Sequence, residues 1–433
     1  MNNVGNVKTA TRIVQKNHAN SVQEFQSDIC VVGAGIAGVS AALEAARLGR
    51  KVTLVDSLPT LGGQAVNSII GIFCGLFSNG QEPYQFTHGI ADDILRDLGN
   101  AGALHYRRGS WTSVMYDEIA LSRWIENAVH EAGINVILGA VLRGVNREGR
   151  RINSIDLATR YGDIHLIANG FIDATGDAAV AWQAGLPCRE PEGGPVFGSQ
   201  MLVLEGVDSD SIPHRDEVVG RLKERGKDYG MVRLDGFAFS FPGRGIALVN
   251  MTHVETPLEP VSAAQKSLEG KAQADIAFNY LRSEYPEAFG KARIRSYGQL
   301  GIRQTRWIVG KQQLTTDDVR SGTRFPDAVA RTAWPIELHD REDGYVWEPY
   351  SDDHVHYVPL GSLTPPDVDN LMAVGRCIDG DLAALSSVRV MGPCIAMGAA
   401  AAHVFDLANG GSVHEINIAA LQERLKDNVE RTY

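Results

Sequence analysis

Proton and anion chemistry in this 433-residue chain has to come from a few histidines and arginines. Histidine exchanges protons near neutral pH, and His88, His339 and His356 are the candidate general bases. His356, beside Tyr357 and Pro359 and just ahead of the apolar stretch 370–374, is placed best by sequence order. The plainer role for any of the three is a structural hydrogen bond. Arg303 and Arg306, in Gly301-Ile-Arg303-Gln-Thr-Arg306-Trp307, would share one face of a helix and could together hold a carboxylate. A salt-bridged surface or interdomain contact is the simpler account of that pair. Arg389 either faces a ligand or clamps the loop before the last apolar helix. Cys74 reads as a buried, inert thiol rather than a redox group.

Such groups act only where the chain positions them, and the clearest positioning device is residues 28–56, DICVVGAGIAGVSAALEAARLGRKVTLVD. The apolar run 29–32 predicts a buried parallel strand. Gly33-Ala-Gly35-Ile-Ala-Gly38 follows, then a helical pattern at Ile36, Val39, Leu43 and Ala46, then a second strand, 52–55, ending in Asp56. Gly33 permits a tight turn, Gly35 admits a pyrophosphate, and Gly38 lets the helix lie on the strand. The amides at the helix start, Ile36, Ala37 and Gly38, are suited to phosphate charge. Asp56, about twenty residues on, can accept hydrogen bonds from ribose hydroxyls. A glycine-rich turn with no ligand would leave Asp56 unexplained.

Beyond this unit, residues 1–26 are polar and aperiodic and read as a tail or docking arm. A loop with Gly62 and Gly63 could approach a flat ring or simply pack in the core. The helical period is clear over 117–132, and short strands follow at 135–145, 151–159 and 164–168. Phe171-Ile-Asp-Ala-Thr-Gly-Asp177 is a strand running into a small-residue turn, then a short helix over 178–184. From 188 to 350 prolines and scattered strands replace the strand–helix alternation, with no second GxGxxG between strand and helix. Gly392-Pro393 then signals the start of an Ala/Gly-rich helix over 394–407, and 421–429 is a terminal helix.

The expected organisation is a tail (1–26), a nucleotide domain begun over 27–187 with an inserted segment at about 66–115, a substrate domain (188–350), the rest of the nucleotide domain (351–410) and a terminal helix (411–433). The fold class is α/β: a Rossmann-like domain of parallel sheet plus β-meander carrying an inserted α+β substrate domain. Apolar content of 44% and charged content of 21% fit a globular chain. No run approaches the roughly 18 apolar residues of a membrane span, and a cytoplasmic location is expected. The net charge of −11 argues against general nucleic-acid binding. The five cysteines, odd in number and without a CxxC, argue against zinc or iron–sulfur ligation and fit a reducing compartment.

Three separated segments resemble the two-dinucleotide-binding-type flavoproteins, and within them the FAD-dependent oxidoreductases with a glutathione-reductase-type FAD domain. They are the 28–56 fingerprint, Asp173-Ala-Thr-Gly-Asp177, and Val374-Gly-Arg376 with Arg389-Val-Met-Gly392-Pro393. Arg303-Gln-Thr-Arg306-Trp-Ile-Val-Gly310, Leu314-Thr-Thr-Asp-Asp318 and the stretch from Val355 to Gly375 are similar to one FAD-dependent oxidoreductase family. The resemblance runs from Asp28 to Asn409. It implies FAD as cofactor, with Gly33, Gly35 and Gly38 at the pyrophosphate and Asp56 at the adenosine ribose. It further implies Val141 at the adenine through its backbone, Gly62 and Gly63 near the flavin, and Ala174, Thr175 and Gly176 turning beside the dinucleotide. Gly375 and Arg376 would approach the cofactor again, and the Gly392 helix start would face the flavin pyrimidine ring. Asp379 and Asp381 both stand where an acid could serve the ribitol chain.

The implied activity is that of a dehydrogenase or oxidase: hydride passes from a small polar substrate's C–H to flavin N5, while a base takes the neighbouring O–H or N–H proton. Oxygen, a quinone or a partner carrier would receive the electrons, and an oligomer is open. A flavin-binding subunit of a larger dehydrogenase complex is the alternative, and a flavin monooxygenase a lower one.

Overall fold

The computed structural model describes residues 11–13 and 22–432. Its frame is a seven-stranded sheet. The order across it is Asn135–Leu138, Val52–Asp56, Val22–Val32, Gly162–Asp173, Arg151–Thr159 and Val141–Glu148, with Leu371–Ala373 also paired to Gly162–Asp173. The long strand Gly162–Asp173 joins two architectures. Its first half carries the antiparallel meander, Ser154 opposite Ile167 through Thr159 opposite Gly162. Its second half runs parallel to Leu371–Ala373, with Phe171 opposite Leu371.

Several boundaries differ from those expected, each for a local reason. The first strand begins at Val22, inside the expected tail, because Val22–Ser27 pair with Asp163–Ala168; the rest of that tail, apart from residues 11–13, lies outside the described residues. Its polar first half is exposed and its apolar second half buried. The expected strand 135–145 is two strands, broken at Gly139, whose φ of +64° no strand continues. The strands expected at 164–168 and 171–173 are one. Gly170 makes room there for the Phe405 ring, which an added Cβ would meet at 2.5 Å.

On one face of this sheet the helix Ile36–Arg47 packs on the helix Met391–Ala408. Both are rich in Ala and Gly, so their backbones come close: a Cβ on Gly398 would lie 2.2 Å from the Ala37 carbonyl oxygen. Met391–Ala408 is long and apolar enough to cross a membrane, yet 78% of it is buried in this core. The helix Ile90–Asn100 and residues Trp307, Leu314, Val319, Val329 and Ile336 join the same core. The 307–338 part of the expected substrate domain therefore packs with the nucleotide unit, because its apolar side chains find their partners there.

A second sheet, ordered Phe237–Phe241, Ile246–Asn250, Ser199–Glu205, Arg293–Gly301, is antiparallel throughout. Period-two alternation sends Leu202 and Leu204 to the helices Arg215–Arg225 and Pro260–Glu284, and Met201 and Val203 to the opposite face. That opposite face looks toward the inserted segment, whose small sheet is ordered Ile72–Phe73, Ser113–Tyr116, Leu104–Arg107. The space between them holds the site.

Because backbone cannot move aside, Gly398→Ala should weaken the helix pair. A denaturant titration should give a loss of about 1–3 kcal/mol, whereas an unchanged midpoint would contradict the close contact.

Candidate functional site

The turn after the first strand is built without side chains. Gly33 has φ +107°, and a Cβ there would meet the Ala174 carbonyl oxygen at 2.3 Å; one on Gly38 would meet the Gly33 carbonyl oxygen at 1.8 Å. Gly63 abuts Gly35 from the other side, 2.6 Å from a built Cβ to the Gly35 Cα, and the Gly62 amide donates to the Ala34 carbonyl at 2.8 Å. Gly35 alone faces open space, with nothing within 4 Å of its Cβ position and ordinary backbone angles (φ −69°, ψ 178°). The opening lies at the N-terminus of Ile36–Arg47, where helix geometry leaves the first amides, including Ile36, Ala37 and Gly38, without intrahelical partners. An uncrowded cleft over a helix start fits a pyrophosphate.

Asp56 is buried, which pushes its carboxyl up, while amide bonds from Ala34 (2.5 Å) and Leu58 (2.7 Å) pull the other way. Those two bonds use one lone pair on each oxygen and leave others for ribose hydroxyls. The Ala140 amide donates to the Asp56 carbonyl at 2.9 Å, bringing the exposed Val141 beside the same end.

Asp173 organises the second turn. It is fully buried and accepts from the Thr175 hydroxyl at 2.7 Å and amide at 3.2 Å, and from the Val180 and Ala181 amides of the next helix. Ala174 is thereby held against the fingerprint, its amide 2.8 Å from the Val32 carbonyl. Gly176 has φ +80° and lies under the guanidinium of Arg376, which donates to the Ile302 carbonyl at 2.8 Å. Gly375, at φ +69°, sits 3.3 Å from Ala37 by its Cβ position, so the C-terminal segment returns to the same helix start. The Gly392 amide does not face the cleft, because it donates to the Cys74 carbonyl at 3.0 Å. Val390 and Met391 present that helix end to the cavity instead. The two acids considered for the ribitol chain are both engaged: Asp379 with Arg189 and the Gly310 amide, and Asp381 as the cap of Leu382–Val388 and partner of Thr316.

Next to this cleft is a cavity of about 690 Å³. Six arginines line it, Arg107, Arg108, Arg215, Arg303, Arg376 and Arg389, against two carboxylates, Asp216 and Glu337. Among the described residues only Arg215 of the six has a carboxylate within 4.0 Å. Arg303 is half-buried and donates to the Phe197 carbonyl at 2.7 Å and Ser199 Oγ at 2.9 Å, two of its five N–H groups. Burial, followed by the neighbouring Arg233 and Arg389, pulls its pKa well down. Arg389 donates to the Glu337 carbonyl at 3.2 Å, and burial lowers it to about 10. Trp111, Trp347 and Trp334 form an apolar wall, the Trp347 ring centroid lying 5.0 Å from that of Trp111 and 5.8 Å from that of Trp334. Burial pushes the Cys74 thiol, also at the cavity, well up, which suits an inert group.

Two expected catalytic residues lie elsewhere. Residues 302–306 are not helical, so Arg303 and Arg306 share no face. Arg306 lies 4.1 Å over the Trp182 ring and pairs with Glu190 at 3.0 Å, the structural contact that the sequence also allowed. His356 does not line the cavity. Ser387 gives its one hydroxyl proton to the Trp334 carbonyl, so His356 Nε2 donates to Ser387 Oγ (2.8 Å) and its Nδ1 accepts from His354 (3.0 Å). Both nitrogens are used, and burial lowers its pKa to about 3. His88 is held by Asp92 and the Gln85 carbonyl, also away from the cavity. Sequence reasoning missed Glu337 and the aromatic wall. The available signal was Trp334, Glu337 and His339 within six residues, with His339 two positions after Glu337 and just past the strand Ile336–Leu338.

A glycine-built cleft over a helix start, a buried acid ending the second strand of that unit and a discontinuous α/β domain fit a Rossmann-like FAD-binding fold. Two solved structures share it across most of their length. One is a geranylgeranyl bacteriochlorophyll reductase-like protein from Thermoplasma acidophilum, with TM-score 0.50 and 14% identity, covering 94% of this chain and 85% of that one. The other is the p-nitrophenol 4-monooxygenase of Pseudomonas putida, with TM-score 0.50 and 9% identity, covering 94% and 86%. At those identities they speak for the fold alone. The model of the FAD-dependent oxidoreductase family matches residues 28–425, and the chain belongs to that family. It is an enzyme with FAD as cofactor.

Gly35→Val should abolish FAD retention without unfolding, since the protein leaves that space free. At least a tenfold loss of affinity is expected, about 1.4 kcal/mol, with circular dichroism unchanged; full FAD content would remove the pyrophosphate assignment. His356→Gln tests the second histidine reading. In the unfolded chain this histidine titrates near about 6.5, so on acidification the unfolded state takes the proton first and stability falls as pH drops from there. The variant should lose stability less steeply between about pH 7 and 5 than the parent, and parallel slopes would contradict the buried neutral ring.

Proposed function

We propose that the protein oxidises a small anionic molecule, a carboxylate or phosphate ester with a flat or apolar portion, as a dehydrogenase or oxidase. One observation supports this above the others. A chain of net charge −11 lines one cavity with six arginines and only two carboxylates. Buried guanidinium groups without carboxylate partners are costly unless an anion completes them. Arg303 and Arg389, half-buried neighbours in the cavity wall, would take the anionic group, and Arg107 and Arg215 would add field at the mouth. Trp111, Trp334 and Trp347 would hold the body of the substrate and exclude water. When bound, FAD accepts the electron pair that leaves with the substrate's C–H hydride. Gly33, Gly35, Gly38 and Asp56 would hold its adenosine diphosphate half, and Gly62, Gly63, Gly375 and Arg376 would flank the rest.

The test is anaerobic titration of the yellow protein with paired substrates: 2-hydroxy acids and amino acids against their amides and esters. An anionic member should bleach the flavin absorbance, with its neutral partner at least about tenfold weaker. Preference for a neutral or cationic compound would overturn the reading, and rapid bleaching by NADH alone would point to a monooxygenase. Arg303→Lys, which cannot make the forked contact, should raise the half-saturating concentration at least about tenfold while FAD content stays constant.

A further inference from the structure

A buried chain of hydrogen bonds runs from the cavity into the protein, and its donors can be assigned by elimination. The Glu342 carbonyl can only accept, so His253 Nδ1 carries the proton of their 3.1 Å contact. Burial, with Arg233 and Arg303 nearby, lowers His253 to about 2, so the ring is neutral and its Nε2 is a lone pair. His339 Nδ1, 2.8 Å away, must then be the donor to it. This leaves His339 Nε2 facing Glu337 Oε1 at 3.1 Å, a contact needing one proton on one side or the other. Burial and then Arg303 pull the His339 pKa well down, which disfavours a lasting imidazolium.

Glu337 is held on every other side. Trp334 Nε1 donates to its Oε2 at 3.1 Å, its amide donates to Ser386 Oγ at 3.1 Å, and its carbonyl accepts from Arg389. Tyr345 stacks on His339, with centroids 4.6 Å apart and planes at 23°, and Phe197 stacks on His253 at 5.5 Å and 18°. The charged or titratable groups facing Glu337 are Arg303, Arg389, Tyr345 and Cys74, with Arg233 and its partner Asp235 behind the histidines. Of this chain, Glu337 alone lines the cavity.

We propose that Glu337 is the acid–base catalytic residue and that His339 and His253 are positioning residues sharing its proton. The proposal rests on the oxidation reading above. The proton shared in the Glu337–His339 contact shifts to His339 Nε2 and leaves Glu337 a carboxylate; that carboxylate takes the substrate's O–H or N–H proton as the adjacent carbon loses a hydride, for which FAD is the oxidant. A C=O or C=N bond forms, and Glu337 keeps the substrate's proton.

Glu337→Gln preserves the geometry, since an amide N–H can donate to His339 Nε2 while its carbonyl accepts from Trp334. FAD content should therefore stay constant, flavin reduction should slow by roughly a hundredfold or more, and one limb of the pH–rate profile should vanish. Glu337→Asp should restore part of the rate, and His253→Phe should shift that limb without removing it. A wild-type rate and profile in Glu337→Gln would overturn the proposal. A second readout needs no substrate. In ¹⁵N-histidine-labelled holoenzyme, His339 should show a protonated Nδ1, and an Nε2 signal that moves in Glu337→Gln. An Nε2 signal indifferent to Glu337 would also overturn the proposal, whereas failure of every substrate to bleach the wild type would count against the oxidation reading alone.

Discussion

Backbone meets backbone at the turn from Gly33 to Gly38, and the rest of the architecture depends on that absence of side-chain atoms. Segments far apart in sequence converge there: 62–63, 174–176, 375 and 398 all approach within distances that a Cβ would forbid or crowd. Close packing of this kind makes one rigid seat from a discontinuous domain. Within that turn Gly35 is the one glycine whose Cβ position is open, which fits a pyrophosphate entering there.

From that seat the C-terminal segment leads directly to chemistry. Arg376 crosses over Gly176, Arg389 caps the C-terminus of the short helix Leu382–Val388, and Val390 and Met391 open the next helix onto the cavity. The inserted segment and the second sheet close the far side with Arg107 and with Ser199, Met201 and Phe239. The result is positive charge gathered in a low-dielectric enclosure, where it acts more strongly than in water. Glu337 is the carboxylate at the centre of this field, and its surroundings fix both of its oxygens and its backbone.

Much of the nucleotide unit was legible because its signals are local. Gly33, Gly35, Gly38 and Asp56 stand at spacings that a strand–turn–helix–strand imposes, and the period of 117–132 gave a helix observed as Glu118–Glu131 with Asp117 as cap. Errors arose where a residue's local meaning was overridden by packing. The strands expected at 164–168 and from 171 are continuous, with Gly170 receiving Phe405, and Gly139, within an expected strand, is a break. The catalytic side was less legible because it is assembled from distant pieces. His356 stood well by order along the chain, yet three dimensions turned it into the core beside Ser387 and His354. Glu337 gave only its place two positions before His339, and nothing in sequence brings His253 to them.

The central claim is that FAD lies across the glycine turn with its redox end in the arginine-lined cavity beside the helix Met391–Ala408. A reduced flavin carries negative charge, so that field should favour it over the oxidised form. Potentiometric titration of the holoprotein against free FAD tests this directly and needs no substrate. The account predicts a midpoint more positive than that of free FAD by at least about 30 mV, equivalent to about 1.4 kcal/mol for a two-electron couple. A midpoint equal to or more negative than that of the free cofactor would contradict it.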